Sequence, residues 1–136
     1  MQEADLVRLK HMLDAVTEIL EFTRDKNRAD FTNDRKLNLS VVHLLEIIGE
    51  AGSGISIEVR NNYSQIPWKV IIGMRNRLIH GYFDIDLDIV WKTVKQDIPP
   101  LLPILRDIIK SQEWLRDKYG KEYNSPFILL VLLEDQ

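Results

Sequence analysis

Side chains able to bind a phosphate and to move a proton are concentrated in residues 75–82 of this 136-residue chain. The segment contains Arg75, His80 and Tyr82, and the polar Asn76 directly follows the arginine. Arginine remains cationic and can hold phosphate oxygens through two parallel hydrogen bonds, whereas histidine titrates near neutral pH. A tyrosine hydroxyl can donate a hydrogen bond to a phosphate or orient an imidazole. These groups suit cleavage of an RNA phosphodiester without a metal ion.

Such a cleavage requires the ribose 2′-OH to lose a proton and attack the adjacent phosphorus, while the 5′ oxygen gains a proton and leaves. A histidine can accept and return that proton, and an arginine can stabilise the negative charge on the phosphoryl oxygens. Arg75 and His80 are therefore candidate catalytic residues, and Asn76 and Tyr82 are candidate supporting residues. We predict no metal ligand. Spacing alone favours another interpretation, in which the arginine and histidine cap a helix end and the tyrosine is a core residue.

A helix from Pro67 to about Ile79 is predicted to position these residues. Proline suits a first helical position, and Gly81 is a typical residue just past a helix end. On an ideal helix Asn76 and His80 share one face, whereas the Arg75 and His80 positions are about 140° apart. Either the helix unwinds near Gly81, or two copies of the segment face each other in a homodimer. We favour the homodimer, because it would double the positive charge in one cleft.

Apolar residues at helical spacing predict further helices over 5–24 and 37–59, another from 87 to 98, and a fifth that ends near residue 118. The apolar run 127–133 is the one strand-like segment, and a single strand cannot form a sheet. We therefore predict an all-α bundle of four to five helices. The bundle would occupy residues 1–118, and residues 119–136 would form a tail of unknown role.

Several local features carry further predictions. The Gly52-Ser53-Gly54 run predicts a bend or break in the second helix, since glycine is a poor helix former. The alternating aspartates of segment 84–88 fail as a calcium loop, because Ile89 and Lys95 occupy the glycine and glutamate positions. We expect them to cap the next helix instead. Residues 25–36 are polar and predict a connection or a short extra turn.

The other candidate acid–base residues are less informative. His11 lies off the apolar stripe of its helix and is predicted to be solvated, whereas His43 lies among apolar residues and is predicted to be a hydrogen-bonded structural residue. Glu46 and Glu50 are one turn apart and could act as general acids. We favour a solvent-exposed face for them, because no partner carboxylate is near in sequence.

Composition limits the classes of function. The net charge is −3, so any RNA contact must come from a local basic region. The chain has no cysteine, which excludes disulfides and thiolate zinc sites. The first residues lack the order of a secretory signal, and the apolar run 127–133 is too short to span a bilayer. We therefore predict a cytoplasmic protein without membrane contact.

Residues 66–83, with the sequence IPWKVIIGMRNRLIHGYF, resemble the HepT-like ribonuclease toxins of the HEPN superfamily. The family mark is Arg-x4-His-x-Tyr within a phrase like IPWxxIIGxRNxLIHxYF. Residues 45–51, LEIIGEA, and 86–91, DLDIVW, are similar to the family segments LEIIGEA and DLxxVW. The likeness extends from about residue 5 to residue 105 in the family order, and the chain departs from it at Gly52-Ser53-Gly54 and in the tail.

The resemblance implies a dimeric all-α bundle whose motif segments meet in a shared cleft. It implies a metal-independent endoribonuclease without a cofactor, in which Arg75 and His80 are catalytic and Asn76 is the polar residue that commonly follows the arginine. It further implies a toxin neutralised by an MntA-like minimal nucleotidyltransferase antitoxin, which transfers AMP onto Tyr82. The alternative is a weakly catalytic or non-catalytic HEPN binding module that serves as partner or substrate of a nucleotidyltransferase.

Overall fold

A computed structural model of the protein describes residues 1–80, 84–125 and 128–134. Four long helices form the body of the fold: α1 (Glu3–Thr23), α3 (Arg35–Gly54), α5 (Trp68–His80) and α7 (Leu101–Tyr119). Four short helices accompany them: α2 (Arg28–Asn33), α4 (Ile57–Asn62), α6 (Leu87–Lys92) and α8 (Ile128–Glu134). A π-helical turn (Thr93–Asp97) follows α6, and a 3-10 turn (Gly120–Asn124) follows α7. The predicted all-α bundle is confirmed, and the dimer remains a prediction.

Helix α3 is central to the bundle, because it packs against α1 on one side and against α5 on the other. Helix α7 packs against α1. The contacts are made by aliphatic side chains that are completely buried, and burial of each contributes roughly 1.5–3 kcal/mol. Among them are Leu6, Leu9, Met12, Val16, Ile19, Val41, Leu45, Ile48 and Leu105. The order α5–α3–α1–α7 places α5, the helix with the candidate residues, at one side of the bundle.

The second predicted helix ends earlier than expected. Helix α3 continues through Gly52 and ends at Gly54, and α4 begins a separate helix at Ile57. Ser56 fixes this boundary, because its side chain accepts a hydrogen bond from the Val59 N–H at 3.3 Å. Its own N–H and hydroxyl donate to the Asp5 carboxylate at 2.9 and 2.8 Å. The break therefore follows the glycines and depends on a contact with α1.

Local capping residues position the helices that follow the connections. Asp86 is the N-cap of α6, and its carboxylate accepts hydrogen bonds from the Asp88 and Ile89 N–H groups at 2.9 and 3.4 Å. This confirms the predicted capping role of the aspartate cluster. The predicted short turn in residues 25–36 is α2, whose N-cap Asn27 forms a reciprocal capping box with Asp30.

The apolar run in the tail is helical, not strand-like. Residues Ile128–Glu134 form α8, and Leu130 and Leu133 within it are 59% and 64% exposed. A helix satisfies its backbone hydrogen bonds internally, whereas a lone strand would leave them without partners. In the parts of the chain that the structure describes, none of the helices combines the length and apolar character needed to cross a bilayer.

Candidate active site

Arg75 lies at a close approach of α5 to α3. A Cβ atom built on Gly49 of α3 would lie 2.1 Å from the Arg75 Cβ and 3.2 Å from its Cα. Only glycine fits at such a distance, since real Cβ atoms do not approach other heavy atoms so closely. Gly49 thus allows the backbone of α3 to come directly beneath the arginine.

The Arg75 guanidinium is held by two polar side chains. Its Nη2 lies 2.5 Å from Oε2 of Glu50 on α3, and its Nη1 donates a hydrogen bond to Oδ1 of Asn76 at 2.9 Å. The third nitrogen, Nε, is buried and has no hydrogen-bond partner among the described residues. The Arg75 side chain is 28% exposed, whereas that of Glu50 is 65% exposed. The guanidinium is therefore oriented by the fold and still reaches solvent.

This arrangement can bind an anion. A guanidinium has five N–H hydrogens, so two side-chain contacts leave donors free for a ligand. The carboxylate oxygen of Glu50 occupies a position where a phosphate oxygen could bind, because both are anionic oxygens that accept from N–H groups. The amide of Asn76 is exposed beside it and can donate to a second phosphate oxygen.

The structure describes only the backbone of His80 and does not describe Tyr82. His80 is the last residue of α5, and its side chain lies outside the described part of the structure. Tyr82 and Gly81 lie outside the described residues. Because α5 remains helical through His80, no unwinding brings position 80 around to Arg75 on the same helix. The two positions stay about 140° apart around the axis.

Other predicted residues have different outcomes. His11 is exposed, as predicted. The prediction for His43 was wrong: its side chain is 71% exposed, and its Nδ1 lies 3.7 Å from a carboxylate oxygen of Glu46. This position lies on the surface of α3 that neither neighbouring helix covers.

Glu50 is the residue that sequence reasoning undervalued. It is exposed, as predicted for a solvent-facing position, but it pairs with the candidate catalytic arginine. Spacing could not have revealed this, because the two residues are 25 positions apart in the chain. The available signal was the LEIIGEA segment, which contains both Gly49 and Glu50.

A separate groove of about 390 Å³ lies beside α5, between it, α6 and the start of α7. Its lining is mainly apolar and includes Val70, Met74 and Ile89. Val70 and Ile89 are each 56% exposed. Neither Arg75 nor Asn76 lines this groove. It is therefore a surface next to the candidate site and not part of it.

The chain is similar to several known proteins. The family model described as Ribonuclease HepT-like matches residues 12–108. A "Probable ribonuclease HepT" from Thermococcus cleftensis is 43% identical over 93 residues, which cover 68% of this chain and 84% of that protein. A "Putative RNase" from Methanocaldococcus jannaschii is 40% identical over 93 residues, covering 68% of this chain and 85% of that protein.

A longer relative from the same archaeon has a name that combines two activities, "Gamma-glutamylcyclotransferase and putative RNase". It is 39% identical over 118 residues, which are 87% of this chain but only 52% of that protein. This chain thus spans about half the length of that relative. No solved structure matched the chain. The family match and these identities show that the chain belongs to the HepT-like ribonuclease family.

Proposed function

We propose that this protein is a metal-independent endoribonuclease and the toxin of a HepT/MntA-type toxin–antitoxin pair. The proposal rests on how the Arg75 guanidinium is held and exposed. Its guanidinium is fixed by Glu50 and Asn76, reaches solvent, and lies at the arginine position of the family motif. The names of the relatives support RNA as the substrate.

The proposed reaction is a transesterification within the RNA strand. His80 accepts the proton of the 2′-OH, and the 2′ oxygen attacks the phosphorus. The bond between phosphorus and the 5′ oxygen breaks, and the histidine returns its proton to that oxygen. The products are a 2′,3′-cyclic phosphate and a free 5′-OH. Arg75 stabilises the charge that develops on the phosphoryl oxygens, and Asn76 donates a further hydrogen bond.

Glu50 has a positioning role in this proposal. A free arginine side chain samples many rotamers, and fixing it in advance removes part of the entropic cost of binding the transition state. Glu50 contacts one Nη atom and leaves the side chain at the protein surface, where a phosphate can reach it. The carboxylate therefore orients the arginine without closing the site.

We propose that the complete site forms between two protomers. The unbroken helix up to His80 favours an arrangement in which Arg75 of one protomer acts with His80 of the partner subunit. The exposed apolar side chains Val70 and Ile89 support association, because burying them against a second copy would remove them from water. The homodimer would place two guanidinium groups in one cleft and so form a local basic region on a chain whose net charge is −3.

Control by an antitoxin completes the proposal. An MntA-like nucleotidyltransferase in the same cytoplasm would transfer AMP onto Tyr82. The added phosphate carries negative charge and bulk into the place where the RNA phosphate binds, so it would repel and occlude the substrate. Incubation of the protein with such an enzyme and ATP should add one AMP per chain, and Tyr82→Phe should abolish the addition.

The test is cleavage of single-stranded RNA by the purified protein in EDTA. The expected products end in 2′,3′-cyclic phosphate, and Arg75→Ala or His80→Ala should each lower the rate by at least about a thousandfold. Circular dichroism and the elution volume should show that both variants remain folded. Cleavage at the wild-type rate by either variant would contradict the assigned roles. No cleavage by the wild type, together with tight binding of the nucleotidyltransferase, would identify a binding module instead.

A further inference from the structure

A second arginine lies close to the candidate site, in a groove between α1 and α3. The groove encloses about 590 Å³, and its walls include Arg8 and His11 from α1 and Glu50 and Gly54 from α3. Glu50 is the residue that pairs with Arg75. The groove therefore begins at the candidate active site and leads away from it along α3.

The position of Arg8 is set by Gly54. A Cβ built on Gly54 would lie 2.5 Å from the Arg8 Nε and 3.2 Å from its Cζ, so the guanidinium lies directly over the glycine. Glu50 and Gly54 are one helical turn apart, and residues at this spacing are roughly 5–6 Å from each other. The guanidinium groups of Arg8 and Arg75 thus contact residues of α3 that are one turn apart.

The charges in the groove favour an anionic ligand. Both of its carboxylates are already paired, Glu50 with Arg75 and Glu3 with Arg116 at 3.3 Å. Within the described parts of the chain, Arg8 has neither a hydrogen-bond partner nor an ion-pair partner. The Arg8 nitrogens are not among the buried atoms without a partner, so the guanidinium reaches solvent and can donate hydrogen bonds to an anionic ligand. The groove thus holds one cation that is available for an anion.

We propose that this groove binds the RNA phosphate next to the scissile one, and that Arg8 is its principal contact. The proposal rests on the proposed ribonuclease function, because it extends the substrate path from Arg75. Consecutive phosphates of a single strand are one nucleotide apart, which matches two cations over neighbouring turns of one helix. The exposed imidazole of His11 lies one turn further along α1 and can donate to the same strand.

The first test measures binding of a single-stranded 2′-O-methyl RNA, which this chemistry cannot cleave. Arg8→Gln should weaken binding about tenfold. The plot of the logarithm of the binding constant against the logarithm of the salt concentration should become shallower by about 0.7, the value for one phosphate contact on a single strand. Arg8→Lys should recover part of the affinity because it keeps the charge. The matched control is Arg106→Gln, an identical charge change on the exposed face of α7. Unchanged affinity and slope in Arg8→Gln would overturn the proposal.

The second test displaces Arg8 without removing it. In Gly54→Ala the new methyl group would lie 2.5 Å from the Arg8 Nε, and this flexible side chain must move off α3. Binding of the oligonucleotide should weaken, and the effect should vanish when Gly54→Ala is made in the Arg8→Gln background. Additive effects of the two substitutions would contradict the geometry.

Cleavage assays separate this proposal from the proposed function. For a long RNA, Arg8→Gln should raise KM and leave kcat unchanged, and for a dinucleotide it should change neither. If the wild type cleaves RNA but Arg8→Gln does not raise KM, the proposed phosphate site in the groove is wrong and the proposed ribonuclease function stands. Arg8-dependent binding without any cleavage would overturn the ribonuclease function and support the groove.

Discussion

Two of the ion pairs that join neighbouring helices in the described structure differ in the surroundings of their charges. Between α1 and α7, the Lys10 ammonium lies 2.8 Å from a Glu113 carboxylate oxygen, and both side chains are well exposed at 38% and 40%. Between α3 and α5, Arg75 is 28% exposed, lies over a glycine, and keeps a buried Nε without a partner in the described structure. Both partners of the first pair are exposed to a similar extent, whereas in the second pair Arg75 is built into a helix contact and its partner Glu50 is 65% exposed.

The difference in exposure between the two pairs bears on whether each contributes to stability or to binding. An exposed pair gains little from association because water and salt screen the charges. A partly buried guanidinium loses hydration, and the bundle could have joined the same helices with apolar side chains at no such cost. We therefore propose that Arg75 contributes something other than stability, since an anion-binding role would account for both its burial and its remaining exposure.

The largest expected effect comes from changing the shape of the cation at position 75. Arg75→Lys keeps the charge but loses the planar fork, so kcat/KM for RNA should fall about a hundredfold. Lys10→Arg, the reverse exchange in the α1–α7 pair, should leave kcat/KM unchanged. Cleavage by Arg75→Lys at the wild-type rate would show that a positive charge at position 75 suffices for catalysis. The cation of the α3–α5 pair would then be as exchangeable as that of the α1–α7 pair.

The next largest effect should come from Gly49. In Gly49→Ala the added methyl group must push α5 away from α3, and overpacking of this kind should cost about 1–3 kcal/mol in the free energy of unfolding. RNA cleavage should fall in the same variant because Arg75 moves. Gly73→Ala in α5 is the control. Its added Cβ would meet nothing within 4 Å, so the substitution should stabilise the helix slightly. Urea titrations with equal midpoints for the two variants would contradict the close approach.

A smaller and more specific effect is expected for Glu50→Gln. Loss of the ion pair should leave Arg75 less well oriented and lower kcat about tenfold, whereas loss of a negative charge near the phosphate should lower KM. Glu113→Gln should change neither constant. A rise in kcat would instead show that Glu50 only competes with the substrate for the arginine.

The smallest effect concerns the stability of the exposed pair. The hydrogen bond and the charge of Lys10 lower the pKa of Glu113 below its ordinary value. Its contribution to stability is therefore present above the pKa of the unfolded chain and is lost as the pH falls through the folded value. Thermal melts of the wild type and Lys10→Gln should differ slightly at neutral pH and coincide once Glu113 is protonated. A difference that grows in acid would contradict this assignment.

The sequence predicted features that depend on nearby residues and missed those that depend on distant ones. The capping aspartate and the helix predicted from Pro67 follow from local chemistry. Both are present, with Asp86 as the cap and the helix beginning at Trp68. The end of α3 could not be located from the glycines, because the deciding contact joins Ser56 to Asp5 on another helix.

The same limit applies to the candidate site. The arginine and asparagine were found by residue type and spacing, and their side chains are hydrogen-bonded to each other. The pairing of Glu50 with Arg75 needs the packing of α3 on α5, which an apolar pattern predicts only as burial. His43 shows the opposite error, since an apolar neighbourhood in sequence did not bury it in the fold.

We propose that Arg75 of one protomer and His80 of the partner subunit act on one phosphate. The most direct measurement is RNA cleavage by Arg75→Ala and His80→Ala chains, each inactive alone, after they are unfolded and refolded together. Mixed dimers would contain one intact pair, so random assortment should restore about a quarter of the wild-type rate. A mixture as inactive as its two components, although mass spectrometry detects the mixed dimer, would contradict the composite site.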